Sequence, residues 1–553
     1  MHFKMKTRFL VLAAALFCCL SCIETNSLLG GSFVPAVETY SFHTATIPLE
    51  GISVEMADNL SGYSDSRITV GAVRESEYGL TTRSSAVTLI PMIPDYEAFD
   101  IGKNPEYIRF HFAAARDTMS FVDDSQAHIL QGIRVYELSA ALDPEKNYDC
   151  NQTVAHEAAM IVQGSPLYNG SDSLSFDFSP AFGEKFLRLT AADLTDIKSY
   201  LAKFPGIYLE SDLPENDGGR INMFDVQLGY DANYGILTGN VATLYYSAEF
   251  DGVRKDTSLL FYYGAPRFFN IDSLLNNYTG TLPQYALNLT GQQTRDRSGE
   301  AGGEIWVEGG GGLKPVISAL SLKRQVEEVI SAAGGNPKET VINKASLVFP
   351  FEFPDDYREM ERWPYRLSPT CRFVGENTTT FMGLTDSSSS SENQGDVDRS
   401  RMVYAPDITY HMQEILKIDE TAEDSAAAKN LREGNYDIWL LIMAKETQTT
   451  VSSTSQEQQE MLNYLAYSSY YNSMYGGYGG YGGYGYGSGY GSYYSNYLNY
   501  AMMAQMASQS QTTVSTTVVL DKDRFYRAVL NGPAAAPSRA PRLELTFALP
   551  NEE

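Results

Sequence analysis

The chain has 553 residues with 41 basic and 68 acidic side chains, a formal charge of -27. That balance excludes a free-standing nucleic-acid binder, which needs a basic face, and 43% hydrophobic with 12% aromatic residues excludes wholesale disorder. No apolar run reaches the roughly 18 residues that each span of a polytopic membrane protein needs, and the length accommodates two or three ordinary domains.

At the N-terminus, Lys4, Lys6 and Arg8 precede an apolar run of twelve residues, Phe9 to Leu20. That is the size of a signal-peptide core and too short for a bilayer-spanning helix. The run ends in Cys19-Leu20-Ser21-Cys22. A small residue followed by cysteine at this point resembles a bacterial lipobox, in which the cysteine is acylated and becomes the first mature residue. The reading is a signal peptide over 1–21, lipidation at Cys22 and a linker over 22–39; a plain secretory signal with incidental cysteines is the alternative. Several acyl chains on one cysteine hold firmly, at about 0.8 kcal/mol per buried CH2. Loss of 1–21 removes three basic groups and no acids, leaving 38 basic against 68 acidic side chains and a charge of -30. Such a surface stays soluble and repels anionic headgroups and nucleic acid.

The body of the chain alternates with period two, the mark of half-buried strands. Ile108, Phe110 and Phe112 share one face, with Arg109 and His111 opposite. Thr190 is placed to cap a helix carrying Leu194, Ile197 and Leu201, stopped by Pro205-Gly206. Thr294 to Gly303 is polar and glycine-rich, so the junction between an N-terminal β-sandwich lobe (40–300) and a C-terminal β-rich lobe (301–553) is set near residue 300; one large twisted sandwich remains the alternative. Ser318 to Ala333 is a second helix, with Leu322, Val326, Val329 and Ile330 on one stripe and Gly334 as its stop. Ala345, Leu347, Phe349, Phe351 and Phe353 line one face of a strand. Ile438 to Met443, apolar throughout, is a strand covered on both faces. Asp521 is read as the cap of a third helix running through Tyr526 to Leu530, and Leu543, Leu545 and Phe547 as the inward face of the last strand. The predicted fold is mainly β: antiparallel, jelly-roll-like sandwich lobes with a few short helices plugging their ends.

Two low-complexity insertions interrupt this pattern. Ser387 to Ser391 lies in a polar loop running to about Ser400. The larger insertion, 451–510, is rich in tyrosine and glycine; Tyr464 to Tyr500 holds 14 of the chain's 38 tyrosines. It is flanked by apolar segments suited to pair as neighbouring strands.

Little in the sequence carries chemistry. Gly309-Gly-Gly-Gly-Leu-Lys314 lacks the Gly-Lys-Ser/Thr ending of a phosphate-binding loop and reads as a turn. His156-Glu157 has no second histidine at metal-binding spacing, and the six histidines fall at 2, 43, 111, 128, 156 and 411. There is no Gly-x-Ser-x-Gly nucleophile elbow. Asp355, Asp356, Glu359 and Glu361 contain the raw material for an acid and base pair, but beside Arg358 and Arg362 they read as a surface ion-pair cluster. Glu392, Asp396 and Asp398 lack calcium-loop spacing and read as a solvated loop. Cys150 and Cys371 read as separately buried thiols, with a disulfide between them left open. No catalytic, cofactor-binding or metal-binding residue is assigned.

Several phrases then fall in a familiar order: Leu28-Leu-Gly-Gly-Ser-Phe-Val-Pro35, Val70-Gly71 with Tyr78-Gly79-Leu80-Thr81, Gly132-Ile-Arg-Val-Tyr-Glu-Leu138, Pro205-Gly-Ile-Tyr-Leu209, Gly218-Gly-Arg-Ile221, Arg267-Phe-Phe-Asn270, Ile305-Trp-Val-Glu-Gly309, Ile342-Asn-Lys-Ala345 and Pro541-Arg-Leu-Glu-Leu-Thr546. Together they resemble the Bacteroidetes lipoprotein family known as domain of unknown function 4270, across nearly the whole mature chain. The resemblance implies an exported, lipid-anchored, β-rich protein without assigned catalytic residues. The expectation is an outer-membrane protein on its periplasmic or cell-surface face, binding a glycan or an envelope protein without catalysis. The alternative is a polysaccharide-acting enzyme with paired carboxylates. Neither reading calls for a cofactor or for nucleic acid.

Overall fold

The computed structural model describes residues 40–550 apart from 65–66, 94–95, 128, 144–145, 227, 232–235, 265–280, 283–285, 294–296, 375–378, 390–392 and 453–510. The signal region, Cys22, the linker 22–39, Arg267–Asn270, Glu392 and nearly all of the Tyr/Gly insertion lie outside the described residues.

The fold is mainly β, with 49% strand against 15% helix, and every strand pair among the described residues is antiparallel. Two large clusters of buried side chains organise it. The first packs against a 14-stranded sheet and takes in side chains from the short helices Pro180–Phe186 and Ile197–Lys203. Phe110 and Phe112 sit at its centre, as their alternation predicts. Ile108 does not follow them and is 51% exposed. Opposite Lys103–Arg116, Tyr245 pairs with Arg109 and Tyr246 with Tyr107, so Ile108 is the extra residue of a bulge and its side chain turns out.

The second cluster lies between a five-stranded and a seven-stranded sheet, the layered arrangement expected of a sandwich. Ala345, Leu347, Phe349 and Phe351 face inward from Val341–Pro350 and its exit, whereas Phe353 is 44% exposed just beyond it. Leu543, Leu545 and Phe547 are buried from Arg542–Pro550. Ile438 to Ile442 is buried on both faces. The helix Ala319–Ala332, capped by Ser318 Oγ on the Ser321 N–H, buries Leu322, Val326 and Ile330. Gly334 follows at a φ of 84°, where a side chain is disfavoured.

The first two strands belong with the end of the chain. Tyr40–Pro48 pairs with Arg542–Pro550, and Ile52–Met56 with Leu313–Ile317, so residues 40–56 enter the sheets that 299–550 build. Such partners are separated by most of the chain, and local periodicity carries no information about them. The apolar flanks of the Tyr/Gly insertion do pair: Ile438–Ser452 meets Gln511–Leu520 from Met443 opposite Leu520 to Ser452 opposite Gln511. Ser452 and Gln511, which border 453–510, are therefore directly opposed.

Three local expectations are corrected. Thr190 opens a single 3-10 turn, Ala191–Leu194, held by Asp193 Oδ2 on the Thr190 N–H; Asp196 then caps a separate helix, Ile197–Lys203. The segment after Asp521 is no helix. Asp521 Oδ1 accepts the Arg524 N–H, as an N-cap would, but Arg527–Asn531 is a strand paired with Glu304–Glu308. Burial of Ala528 and Leu530 in the second core outweighs the local helix signal. Within the serine-rich loop, Thr385–Ser389 forms one short helix. Cys150 and Cys371 are buried free thiols, and burial pushes them up to about 11 and about 12.

Candidate functional site

Where the two cores meet, the seam is charged. Its spine is the strand Arg67–Glu75, apolar and buried along its centre through Ile68, Val70, Ala72 and Val73, with a charge at each end. At one end Arg67 Nε meets Asp117 at 2.9 Å, its two Nη atoms hold both Glu446 oxygens at 2.9 and 2.8 Å, and Nη1 reaches Asp523 at 3.3 Å. Burial opposes its charge, but the three carboxylates outweigh that and raise its pKa. Arg524 adds a 2.7 Å bond to Glu446. At the other end Glu75 bridges Arg362 at 2.8 Å and Arg527 at 3.2 Å. Those guanidinium groups lie against a stacked aromatic pair, Phe121 and Phe525, with ring centroids 4.4 Å apart. One strand thus ties segments distant in sequence into two ion-pair nodes.

The tetraglycine stretch packs between these nodes. Gly309 donates to the Tyr526 carbonyl and Gly310 to Asp521 Oδ2. A Cβ on Gly311 would stand 2.7 Å from Cys150 Sγ, so a side chain there would have to displace the Cys150 thiol. Lys314 is buried and spends its ammonium on the carbonyls of Glu308, Gly310 and Gly312. Burial lowers its pKa to about 8. The turn expected from sequence is present, and its lysine faces backbone oxygens.

Two clefts open along the seam and meet at Thr118, Met119 and Arg524. The first, about 580 Å³, is lined by Arg67, Asp117, Lys445, Glu446, Asp521 and Arg524. The second, about 600 Å³, is lined by Phe121, Asp124, Asp356, Arg358, Glu359 and Glu361. Of the four sequence-predicted acids, Asp356, the N-cap of the 3-10 helix Tyr357–Arg362, and Glu359 and Glu361 within it line this cleft, whereas Asp355 does not. Arg358 holds Asp356 at 2.8 Å and Asp124 at 3.0 Å, and lowers the Asp356 pKa. General acid catalysis needs a carboxyl held protonated near neutrality, and these contacts work the other way. Asp521 is the acid of the first cleft that burial raises, to about 6. Both its oxygens accept backbone N–H groups, from Gly310 and Arg524.

The remaining sequence candidates lie elsewhere. Asp396 is paired with Arg366, and Asp398 Oδ1 accepts from the Ser400 and Arg401 N–H groups, so these oxygens serve their own loop. Among the described histidines, His156 is stacked between Tyr136 and Tyr208, and His43 lies on Phe547. His411 is buried, which lowers its pKa to about 4. Sequence reasoning missed Arg67, Glu75, Glu446 and Arg527 altogether. The one legible signal was the run Asp521-Lys-Asp-Arg524 directly after the apolar segment Val514–Leu520.

No protein-family model, no curated protein and no solved structure matches this chain. The resemblance to the lipoprotein family rests on the sequence phrases alone.

Proposed function

We propose that this chain is an exported outer-membrane protein, anchored by acyl groups on Cys22, that acts as a non-catalytic binding or structural module for a glycan or another envelope protein. The anchor rests on Lys4, Lys6 and Arg8, the apolar run Phe9 to Leu20, and Ser21-Cys22. Tyr40, where the first strand starts, lies 18 residues after Cys22, a tether that extends to roughly 60 Å at most. The non-catalytic part is carried by the pairing of the cleft carboxylates. Asp117, Glu446, Asp523 and Asp356 each face an arginine, which fits them to hold the seam and its mixed-charge, aromatic-lined clefts open to a ligand.

The test is to incubate the purified full chain with envelope and dietary polysaccharides, and to cross-link it in native membranes. The expected result is retention on one glycan, or one recurrent cross-linked envelope protein, without new reducing ends. Reducing ends that disappear in Glu359→Gln or Glu361→Gln would replace this reading with the paired-carboxylate enzyme.

A further inference from the structure

A third cleft, of about 330 Å³, opens beside the strand Gly218–Asp225. Three glycine phrases from the sequence converge on it: Gly71 pairs with Ile221, and Gly132 and Gly219 line the cleft. Arg220 also lines it, yet the residue as a whole is only 3% exposed. Its Nη2 donates to the Gln126 and Ala127 carbonyls at 2.5 and 2.7 Å. Its Nε is buried with no hydrogen-bond partner, and no carboxylate among the described residues reaches it at ion-pair distance.

This sets Arg220 apart from the ion-paired seam arginines; Arg83, buried at the seam, also meets no carboxylate at ion-pair distance, but it lines none of the three clefts. Arg67, Arg362, Arg524 and Arg527 each meet at least one carboxylate. A guanidinium does not shed its proton, and a buried charge without a counter-charge is costly. Two acids line the cleft. Asp212 is committed to Arg134 at 2.6 Å, and neither it nor Glu215 pairs with Arg220. The rim is aliphatic: Ile129, Leu130 and Leu213 are 51%, 53% and 56% exposed. A buried cation lacking an anion, beneath three exposed branched side chains, is complementary to a molecule with the opposite arrangement.

We propose that Arg220 is the receptor for a carboxylate carried on a branched aliphatic group, the charge meeting the guanidinium and the aliphatic part resting on Ile129, Leu130 and Leu213. Charge-assisted hydrogen bonds to a guanidinium are strong and directional, and the rim adds apolar burial. The end of a peptide chain and a short branched fatty acid share this chemistry. The proposal stands apart from the anchor and from the seam clefts, since it uses none of their residues.

Calorimetric titration of the full chain tests it with three probes: N-acetylleucine, 4-methylpentanoate and the neutral N-acetylleucinamide. At least one acid is expected to bind, with the amide at least tenfold weaker, and the acid that binds identifies the source. Arg220→Gln is expected to abolish that binding. Leu130→Glu, on the exposed rim, is expected to weaken it at least tenfold with unchanged melting, and it carries the test if Arg220→Gln does not fold. The proposal is overturned if neither acid binds at millimolar concentration, if the amide matches the acid, or if Leu130→Glu binds as the parent does.

Discussion

Arg67→Ala is expected to destabilise the protein by roughly 3–5 kcal/mol, because it removes one partner from a buried ion network and leaves the others uncompensated. The Arg67 side chain is 6% exposed and Asp523 7%. Without the guanidinium, Asp523 would lose its ion-pair partner while still repelling the buried Asp521. Glu446 would keep Arg524, but its bidentate contact would be gone. Arg358→Ala is the control: its pairs with Asp356 and Asp124 are largely exposed, and exposed pairs contribute about 0–1 kcal/mol. Urea unfolding of the two variants side by side measures the difference. Equal, small losses would mean that the seam's charges are solvated and do not hold the two cores together.

Phe349→Ala is expected to cost a similar amount, roughly 3–5 kcal/mol, for a different reason. Phe349 is fully buried in the core between the five- and seven-stranded sheets, opposite Tyr404. Truncation loses the transfer free energy of the ring and leaves a cavity that a β-sandwich cannot close without moving a sheet. Phe353, four residues on, belongs to the same alternating series but is 44% exposed, so Phe353→Ala is expected to cost less than about 1 kcal/mol. If the two variants unfold at the same urea concentration, the inward face of this strand is wrongly placed.

These two residues mark how far the sequence could be read. Phe349 lies in a period-two run, and Leu322, Val326 and Ile330 in a helical one; each pattern is local, and burial follows it. Ile108 shares the same pattern with Phe110 but loses its place to a bulge set by the opposing strand. The stretch from Asp521 to Leu530 begins with a real N-cap-like hydrogen bond, yet its pairing with Glu304–Glu308, over 200 residues away, makes it a strand. Arg67 was illegible for the same reason in stronger form. Its partners Glu446 and Asp523 lie 379 and 456 residues away, and nothing around Arg67 in sequence announces them. Arg220 was visible only as part of a glycine phrase, because the absence of a counter-charge becomes apparent only once its neighbours are in place.

The proposed membrane anchor depends on one residue, Cys22, and has a direct measurement. Cells expressing the full chain, or its Cys22→Ser variant, are grown with labelled palmitate, and the immunoprecipitated protein is assayed for label. Label in the parent chain and none in Cys22→Ser, with the variant left uncleaved or released from the membrane fraction, is the predicted result. Equal label in both chains, or an unlabelled parent chain recovered in soluble form, would contradict it.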